Sequence, residues 1–189
     1  GLDVLGRREN GYHDVRMVMQ SVYLYDEVKI EKTSSSEIEV VSNLTFLPTG
    51  DGNIAYKAAR LLKDEFHIEE GVRISLNKHI PVAAGLAGGS ANAAAVLFGM
   101  NRMFRLGLSQ KELMERGVRL GADVLYCIMR GTVLAEGIGE ELSILPAMPK
   151  CSVLIAKPPI SVSTKVVYEA LDSREIEDHP DIDGIIEGL

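Results

Sequence analysis

The sequence predicts an α+β protein in which sheet and helix layers form a sandwich. Stretches typical of strands cluster early in the chain and then alternate with helical stretches, which does not suit a doubly wound parallel sheet. The 189 residues suffice for one large domain, or for one domain and part of another. Hydrophobic residues make up 46% and charged residues 25% of the chain, an ordinary globular composition that excludes collagen, coiled coil and bulk disorder.

The first elements are indicated by alternating hydrophobicity between polar turns. Strands are predicted over 1–6, 15–22, 28–32, 37–42 and 71–77. A helix is predicted to begin after Asn53, because Asn is a favoured N-cap residue and apolar residues then recur at helical spacing through Phe66.

The later elements alternate between the two kinds of structure. Helices are predicted over 90–104, after Ser109, at Asp123 and over 164–171, and strands over 131–135, 142–145 and 152–156. Ser109 and Glu112 have the spacing of a capping box. The Pro-Ala-Met-Pro-Lys segment at 146–150 predicts a boundary, with a first domain over 1–147 and the start of a second, incomplete domain over 148–189.

Charge and cysteine content exclude several functional classes. The net charge of −7 argues against a nucleic-acid partner, since phosphate backbones need a basic face. Cys127 and Cys151 are too few for a disulfide scaffold, so a reducing compartment, the cytoplasm, is expected. The longest uncharged stretch, 80–101, holds a proline and four glycines and therefore does not predict a membrane span.

A segment rich in glycine and alanine is the main functional signal. Residues 81–95 are Pro-Val-Ala-Ala-Gly-Leu-Ala-Gly-Gly-Ser-Ala-Asn-Ala-Ala-Ala. Small residues let a ligand approach the backbone, and the helix that follows offers unpaired N–H groups and partial positive charge to an anion. Ser90 adds a hydroxyl able to reach a phosphate or its metal. Tight helix packing is the alternative interpretation. The segment has neither the Lys-Ser/Thr of a Walker P-loop nor a G-x-G-x-x-G dinucleotide motif.

The pattern Pro-x-x-x-Gly-Leu-x-x-x-Ser, followed by an alanine-rich helix, resembles the phosphate-binding motif of the GHMP kinase superfamily. Further segments at 7–13, 120–124, 130–132 and 136–140 resemble one branch of that superfamily, which acts in non-mevalonate isoprenoid biosynthesis. The resemblance implies the GHMP-kinase fold: an N-terminal α/β sandwich, ribosomal protein S5 domain 2-like, and the beginning of a C-terminal α+β domain.

The resemblance also implies a reaction and a nucleotide site. An ATP-dependent kinase of this branch uses Mg²⁺ and moves a phosphoryl group to the 2-hydroxyl of a small polyol that carries a cytidine diphosphate group. No carboxylate cluster in the sequence identifies metal ligands. The residues to which the resemblance assigns ATP binding are Asn53, Lys78, Pro81, Ala83, Ala84, Gly85, Leu86, Ala87, Gly88, Gly89, Ser90, Ala91 and Asn92. Without the resemblance, Lys78 would be interpreted as a surface residue and Asn53 as a helix cap.

Four residues are implied at the acceptor side. Asp123 would contact the acceptor and, as general base, take the proton from its hydroxyl; from the residue alone, a helix N-cap is the alternative. Tyr12 would stack on the cytosine, His13 would hydrogen-bond to its edge, and Tyr168 would close a sandwich around the base. Otherwise Tyr12 and His13 belong to a solvated turn, and Tyr168 is a core residue of an amphipathic helix.

Some positions depart from the family pattern. Leu125 stands where the family has proline, and Ala91 replaces a second serine. The family's lysine partner of the base would precede Gly1, and its C-terminal glycine-rich loop is not found, so the chain is expected to be a fragment, truncated at both ends and inactive as it stands. Two other functions stay open: a GHMP kinase for another small alcohol, such as homoserine or mevalonate, and a non-catalytic nucleotide-binding module.

Overall fold

The computed structural model describes residues 1–157, 164–173 and 178–189. The chain divides into two compact units: unit 1 comprises Gly1–Val22 and Arg130–Leu189, and unit 2 comprises Tyr23–Met129. Helices and strands occur in both units, as expected for the α+β class. The predicted domain boundary after residue 147 falls inside unit 1 and stays a prediction.

The described residues form seven strands and six helices. The strands are β1 (Leu2–Arg7), β2 (His13–Gln20), β3 (Glu27–Thr33), β4 (Ile38–Ser42), β5 (Gly71–Asn77), β6 (Thr132–Glu136) and β7 (Glu141–Ile144). The helices are α1 (Ile54–Glu65), α2 (Gly88–Met103), α3 (Gln110–Gly117), α4 (Ala122–Met129), α5 (Thr164–Asp172) and α6 (Ile182–Glu187). None of these helices is both long and apolar enough to cross a lipid bilayer.

Unit 1 is built on an antiparallel sheet with the strand order β1-β2-β6-β7. The β1–β2 hairpin turns at Asn10 and Gly11, where the φ of +86° at Gly11 favours glycine. Val15 of β2 and Val133 of β6 are buried, and α6 packs against β2 with Ile182 buried. The β1–β2 hairpin is therefore packed against the rest of unit 1. Tyr12 lies directly before β2, and His13 is the first residue of that strand.

Unit 2 is built on a three-stranded sheet with the order β3-β5-β4, in which β3 is antiparallel and β4 parallel to the central strand. Its core joins Ile74 of β5, Leu62 of α1, and Leu97 and Met100 of α2, all fully buried. Since α2 is packed along its length, its first turn is held in place at the end of the preceding loop.

Most predicted elements are confirmed within a residue or two, and β5 has the predicted bounds. The Asn53 side chain caps α1 by accepting from the amide of Ala55 at 2.9 Å, and Ser109 and Glu112 form the capping box of α3. The predicted strand over 152–156 is wrong: residues 151–157 have no regular secondary structure. No described strand pairs with this segment, and alternating residues form a strand only where a neighbour completes the hydrogen-bond ladder.

Candidate functional site

A cleft of about 290 Å³ in unit 2 brings together most residues implied in nucleotide binding. The members of that set that line it are Asn53, Lys78, Pro81, Ala83, Ala84, Gly85, Leu86, Ala87, Gly88, Gly89 and Asn92. Ser90 and Ala91 lie in the first turn of α2, outside the lining. Leu47 and Pro48 also line the cleft, and no pattern in the sequence singled them out.

The N-terminus of α2 opens toward this cleft without a side-chain cap. Its N-cap residue, Ala87, is left-handed at φ 50° and ψ 25°, and no side chain bonds to the first turn from that position. Ala83 is also left-handed, at φ 53°. Each such alanine costs roughly 1–2 kcal/mol, so the surrounding structure must hold the loop in this shape. An uncapped helix start beside a cleft is suited to an anion.

Two adjacent glycines of α2 have different surroundings. A Cβ added to Gly88 would lie 2.9 Å from Cγ2 of Ile80 and 3.3 Å from Nζ of Lys78, so this glycine permits close packing. A Cβ on Gly89 would lie 3.5 Å from Cγ2 of Ile54, an ordinary contact. Packing therefore does not require glycine at position 89, which leaves an approaching ligand as a reason for it.

Lys78 is buried, and its interpretation as a surface residue is wrong. Its ammonium forms an ion pair with Asp26 and donates to Oδ1 of Asn92 at 2.8 Å. Burial favours a raised pKa for Asp26, but hydrogen bonds from Lys78, from the Ile80 and His79 amides and from Asn92 hold that pKa below its ordinary value. Sequence reasoning missed Asp26, because a Tyr-Asp-Glu segment between two strands resembles any polar connection.

Asp123 is the second residue of α4, so the N-cap interpretation is wrong. The residue is exposed at the surface of unit 2 and lies outside the lining of the cleft, but α4 packs directly against α2. Desolvation by the protein around its carboxyl raises the pKa of Asp123. Leu125, which stands in place of the family's proline, is buried in the same helix.

In unit 1, the structure brings two of the three implied base-binding residues into contact. The rings of His13 and Tyr168 stack with centroids 4.4 Å apart, and Nε2 of His13 lies 2.6 Å from Oδ1 of Asp172. Tyr12, at the end of the hairpin, is 60% exposed. This contact does not test the predicted sandwich of the base between Tyr12 and Tyr168, which stays a prediction. The sequence offered one signal for Asp172, its position one helical turn after Tyr168.

A metal site is not evident in the parts of the chain that the structure describes, because no three His, Cys, Asp or Glu side chains are grouped there to hold an ion. Mg²⁺ in phosphoryl-transfer sites usually retains waters and is bound through one or two protein oxygens together with substrate phosphates. The hydroxyl of Ser90, in the first turn of α2, is one oxygen of that kind.

A kinase family profile matches the part of the chain that contains most of the residues lining the cleft of unit 2. The profile of the GHMP kinases N terminal domain matches residues 53–131. A 4-diphosphocytidyl-2-C-methyl-D-erythritol kinase from Lachnospira eligens is 59% identical over 189 residues, which is all of this chain and 66% of the relative. The enzyme of the same name from Clostridium beijerinckii is 50% identical over 188 residues, 100% of this chain and 67% of the relative.

A solved structure is similar over the whole chain. The crystal structure of a 4-(cytidine 5'-diphospho)-2C-methyl-D-erythritol kinase superposes with a TM-score of 0.75 at 30% identity, covering 100% of this chain and 67% of the other. The predicted GHMP-kinase fold is thereby confirmed, and the chain spans about two thirds of the length of the proteins it matches. By sequence and by fold, the chain belongs to the 4-diphosphocytidyl-2-C-methyl-D-erythritol kinase family of the GHMP kinases.

Proposed function

We propose that this chain forms the ATP-binding part of a kinase that phosphorylates the 2-hydroxyl of 4-diphosphocytidyl-2-C-methyl-D-erythritol. The observation that carries the proposal is the cleft of unit 2, where the glycine-rich loop and the uncapped start of α2 meet. The identity of 59% to a relative of that name supports the same substrate. Because the chain covers 66% of that relative, the proposal concerns the whole protein to which the chain belongs.

The nucleotide would bind with its phosphates at the start of α2. Backbone N–H groups of Gly88 and Gly89 would supply donors there, and the helix dipole favours the negative charge. Ser90, in the same turn but outside the lining of the cleft, would add its hydroxyl. Mg²⁺ bound with ATP would offset the phosphate charge. Asn53 and Lys78, which line the same cleft, would face the nucleoside.

Asp123 would act as the general base. The acceptor 2-hydroxyl gives its proton to the Asp123 carboxylate as its oxygen forms a bond to the γ-phosphorus, and the bond from that phosphorus to the β,γ-bridging oxygen breaks to release ADP. A raised pKa supports this role, because such a carboxylate holds the transferred proton more strongly than an ordinary one.

The cytidine group would be recognised in unit 1. Tyr12 presents an exposed ring on which a base can stack, and base stacking on an aromatic side chain contributes roughly 1–3 kcal/mol. His13, held by Asp172 and Tyr168, would bond to the edge of the base. Because Tyr168 lies against His13, it would contribute to the base site by supporting the imidazole. A cytoplasmic location fits the two free cysteines.

The experiment is ADP release by the complete product of the gene, supplied with ATP, Mg²⁺ and 4-diphosphocytidyl-2-C-methyl-D-erythritol. The proposal expects turnover that depends on this acceptor and that falls at least 100-fold in Asp123→Asn, since general-base catalysis contributes about 10²–10⁴-fold. Turnover with homoserine or mevalonate instead would assign another acceptor. ATP binding without turnover on any of the three acceptors would indicate a nucleotide-binding module.

A further inference from the structure

Asp26 occupies a buried position beside both ends of the loop at 81–87. Its side chain is 1% exposed and accepts from the amides of His79 at 2.7 Å and Ile80 at 2.8 Å, just before the loop. It also accepts from Nδ2 of Asn92 at 3.0 Å, in the second turn of α2 beyond the loop. One carboxylate thus bonds to the chain on both sides of the loop.

We propose that Asp26 is a positioning residue of the nucleotide site, which holds the start of the loop at 81–87 and the first turns of α2 in fixed relation. Through these bonds the start of α2 faces the cleft before a nucleotide arrives. The inference rests on the proposed ATP site and assigns the residue that maintains its shape.

The surrounding contacts make Asp26 the centre of this arrangement. The Asn43 side chain accepts from the amide of Lys78 at 2.8 Å and donates to its carbonyl at 3.1 Å, which fixes the residue before His79. The Lys78 ammonium pairs with Asp26 and donates to Asn92. Loss of Asp26 would remove the bonds from the His79 and Ile80 amides and from Asn92. The hydrogen bond from Lys78 to Asn92 would remain, so the start of the loop would be held less firmly against α2.

The chemistry at this position calls for a carboxylate. Four donors converge on the two oxygens of Asp26: the Lys78 ammonium, the Asn92 amide and two backbone N–H groups. Asparagine would turn an NH₂ group toward donors and leave the ammonium unpaired. Asp26 is not among the residues that line the cleft, so its effect on a nucleotide would act through the loop and through Lys78 and Asn92, which do line it.

A loop held in advance should bind its ligand more tightly than one that must be ordered on binding. The left-handed Ala83 and Ala87 are the residues that would relax first, since they are held away from their preferred backbone conformation. Removing Asp26 should therefore weaken nucleotide binding and leave recognition of the acceptor nearly unchanged.

The test compares Asp26→Asn and Asp26→Glu with a matched control in the complete gene product. The control is Asn101→Ala, because Asn101 joins the other end of α2 to Leu108 by two hydrogen bonds, of 2.8 and 3.0 Å, away from the cleft. Asp26→Glu keeps a carboxylate for Lys78 but displaces it from the two amides. Binding of Mg·ATP is measured by calorimetry below the melting temperature of every variant, and KM is measured for both substrates.

We expect both Asp26 variants to bind ATP at least tenfold more weakly, with the KM for the acceptor within threefold of the wild-type value. Asn101→Ala should lower the melting temperature and leave ATP affinity unchanged. ATP affinity within twofold of wild type in a folded Asp26 variant would overturn the inference. If the wild-type protein itself binds no ATP, the proposed function fails, and the positioning role of Asp26 is then tested by amide hydrogen exchange over residues 79–92. Faster exchange in the Asp26 variants than in the wild type and in Asn101→Ala supports that role. Equal exchange in all of these proteins contradicts it.

Discussion

The Tyr168 ring stacks on the imidazole of His13, with centroids 4.4 Å apart and ring planes inclined by 25°. Asp172, one turn later on α5, binds Nε2 of the same imidazole and also pairs with Arg7 at 3.2 Å. One helix therefore restrains both the face and the edge of His13. An imidazole restrained in this way can present its remaining nitrogen in a fixed direction, as recognition of a base edge requires.

This stacking predicts a selective effect on the acceptor. Tyr168→Ala should raise the KM for 4-diphosphocytidyl-2-C-methyl-D-erythritol about tenfold, since an aromatic contact contributes roughly 0.5–1.5 kcal/mol beyond its buried area. The KM for ATP should not change, because the nucleotide cleft lies in unit 2. Tyr168→Phe keeps the ring and serves as the control. Steady-state kinetics on both substrates provide the measurement, and an unchanged acceptor KM in Tyr168→Ala would refute a role for this ring in recognition.

The buried pair of Lys78 and Asp26 predicts a large loss of stability. Lys78→Met leaves the Asp26 carboxylate without its cation, and removing one partner of a buried ion pair costs about 3–5 kcal/mol. Arg73→Met is the matched control in the same unit, because Arg73 pairs with Glu39 at 2.8 Å with both side chains exposed. Its free energy of unfolding should change little. Urea unfolding at pH 7 measures the free energy of unfolding of both variants. Similar losses in Lys78→Met and Arg73→Met would contradict the expected difference between the buried and the exposed ion pair.

The same pair predicts a pH dependence with a definite sign. In the wild type, the pKa of Asp26 lies below the ordinary 3.8, so its stabilising contribution is complete above about pH 4 and is lost as the pH falls through the lowered pKa. In Lys78→Met, burial remains while the main opposing hydrogen bond is gone, which raises the pKa of Asp26. As the pH falls, the Asp26 carboxylate of this variant is protonated, which removes the unpaired buried charge and stabilises the folded variant. The difference in unfolding free energy between variant and wild type should therefore narrow from pH 7 to about pH 4.

Local signals account for what the sequence predicted well. Asn53 and the Ser109–Glu112 pair act within one turn of the helices they cap, so their spacing was sufficient evidence. Asp26 lies 52 residues from Lys78 and 66 from Asn92, and no local pattern reveals a contact at that separation. The predicted strand over 152–156 fails for a related reason. A strand forms only beside a neighbouring strand, and the residues of the segment do not show whether such a neighbour is present.

The two cysteines should differ strongly in reactivity. Cys127 lies on α4 four residues after Asp123, and burial together with the nearby Asp123 charge raises the pKa of its thiol to about 12. Its thiolate is therefore almost absent at neutral pH, whereas Cys151 is exposed. Iodoacetamide at pH 8, followed by mass spectrometry, should label Cys151 alone in the native protein and both residues in urea. Native labelling of Cys127 at the rate of Cys151 would contradict the raised pKa of its half-buried thiol.

The adjacent glycines of α2 allow packing and ligand contact to be separated. Gly88→Ala forces its new methyl against Ile80, so we expect a loss of about 1–3 kcal/mol in unfolding free energy. Gly89→Ala meets only an ordinary contact with Ile54, and alanine favours a helix over glycine by up to about 1 kcal/mol, so stability should hold or rise.

If ATP phosphates approach the backbone at Gly89, the same methyl should still weaken Mg·ATP binding at least tenfold, measured by calorimetry beside urea unfolding. The expected result is thus a protein at least as stable as the wild type that binds ATP poorly. A Gly89→Ala variant with unchanged ATP affinity would mean that the phosphates do not approach this part of α2, and the placement of the phosphate site would have to move along the loop toward Gly85.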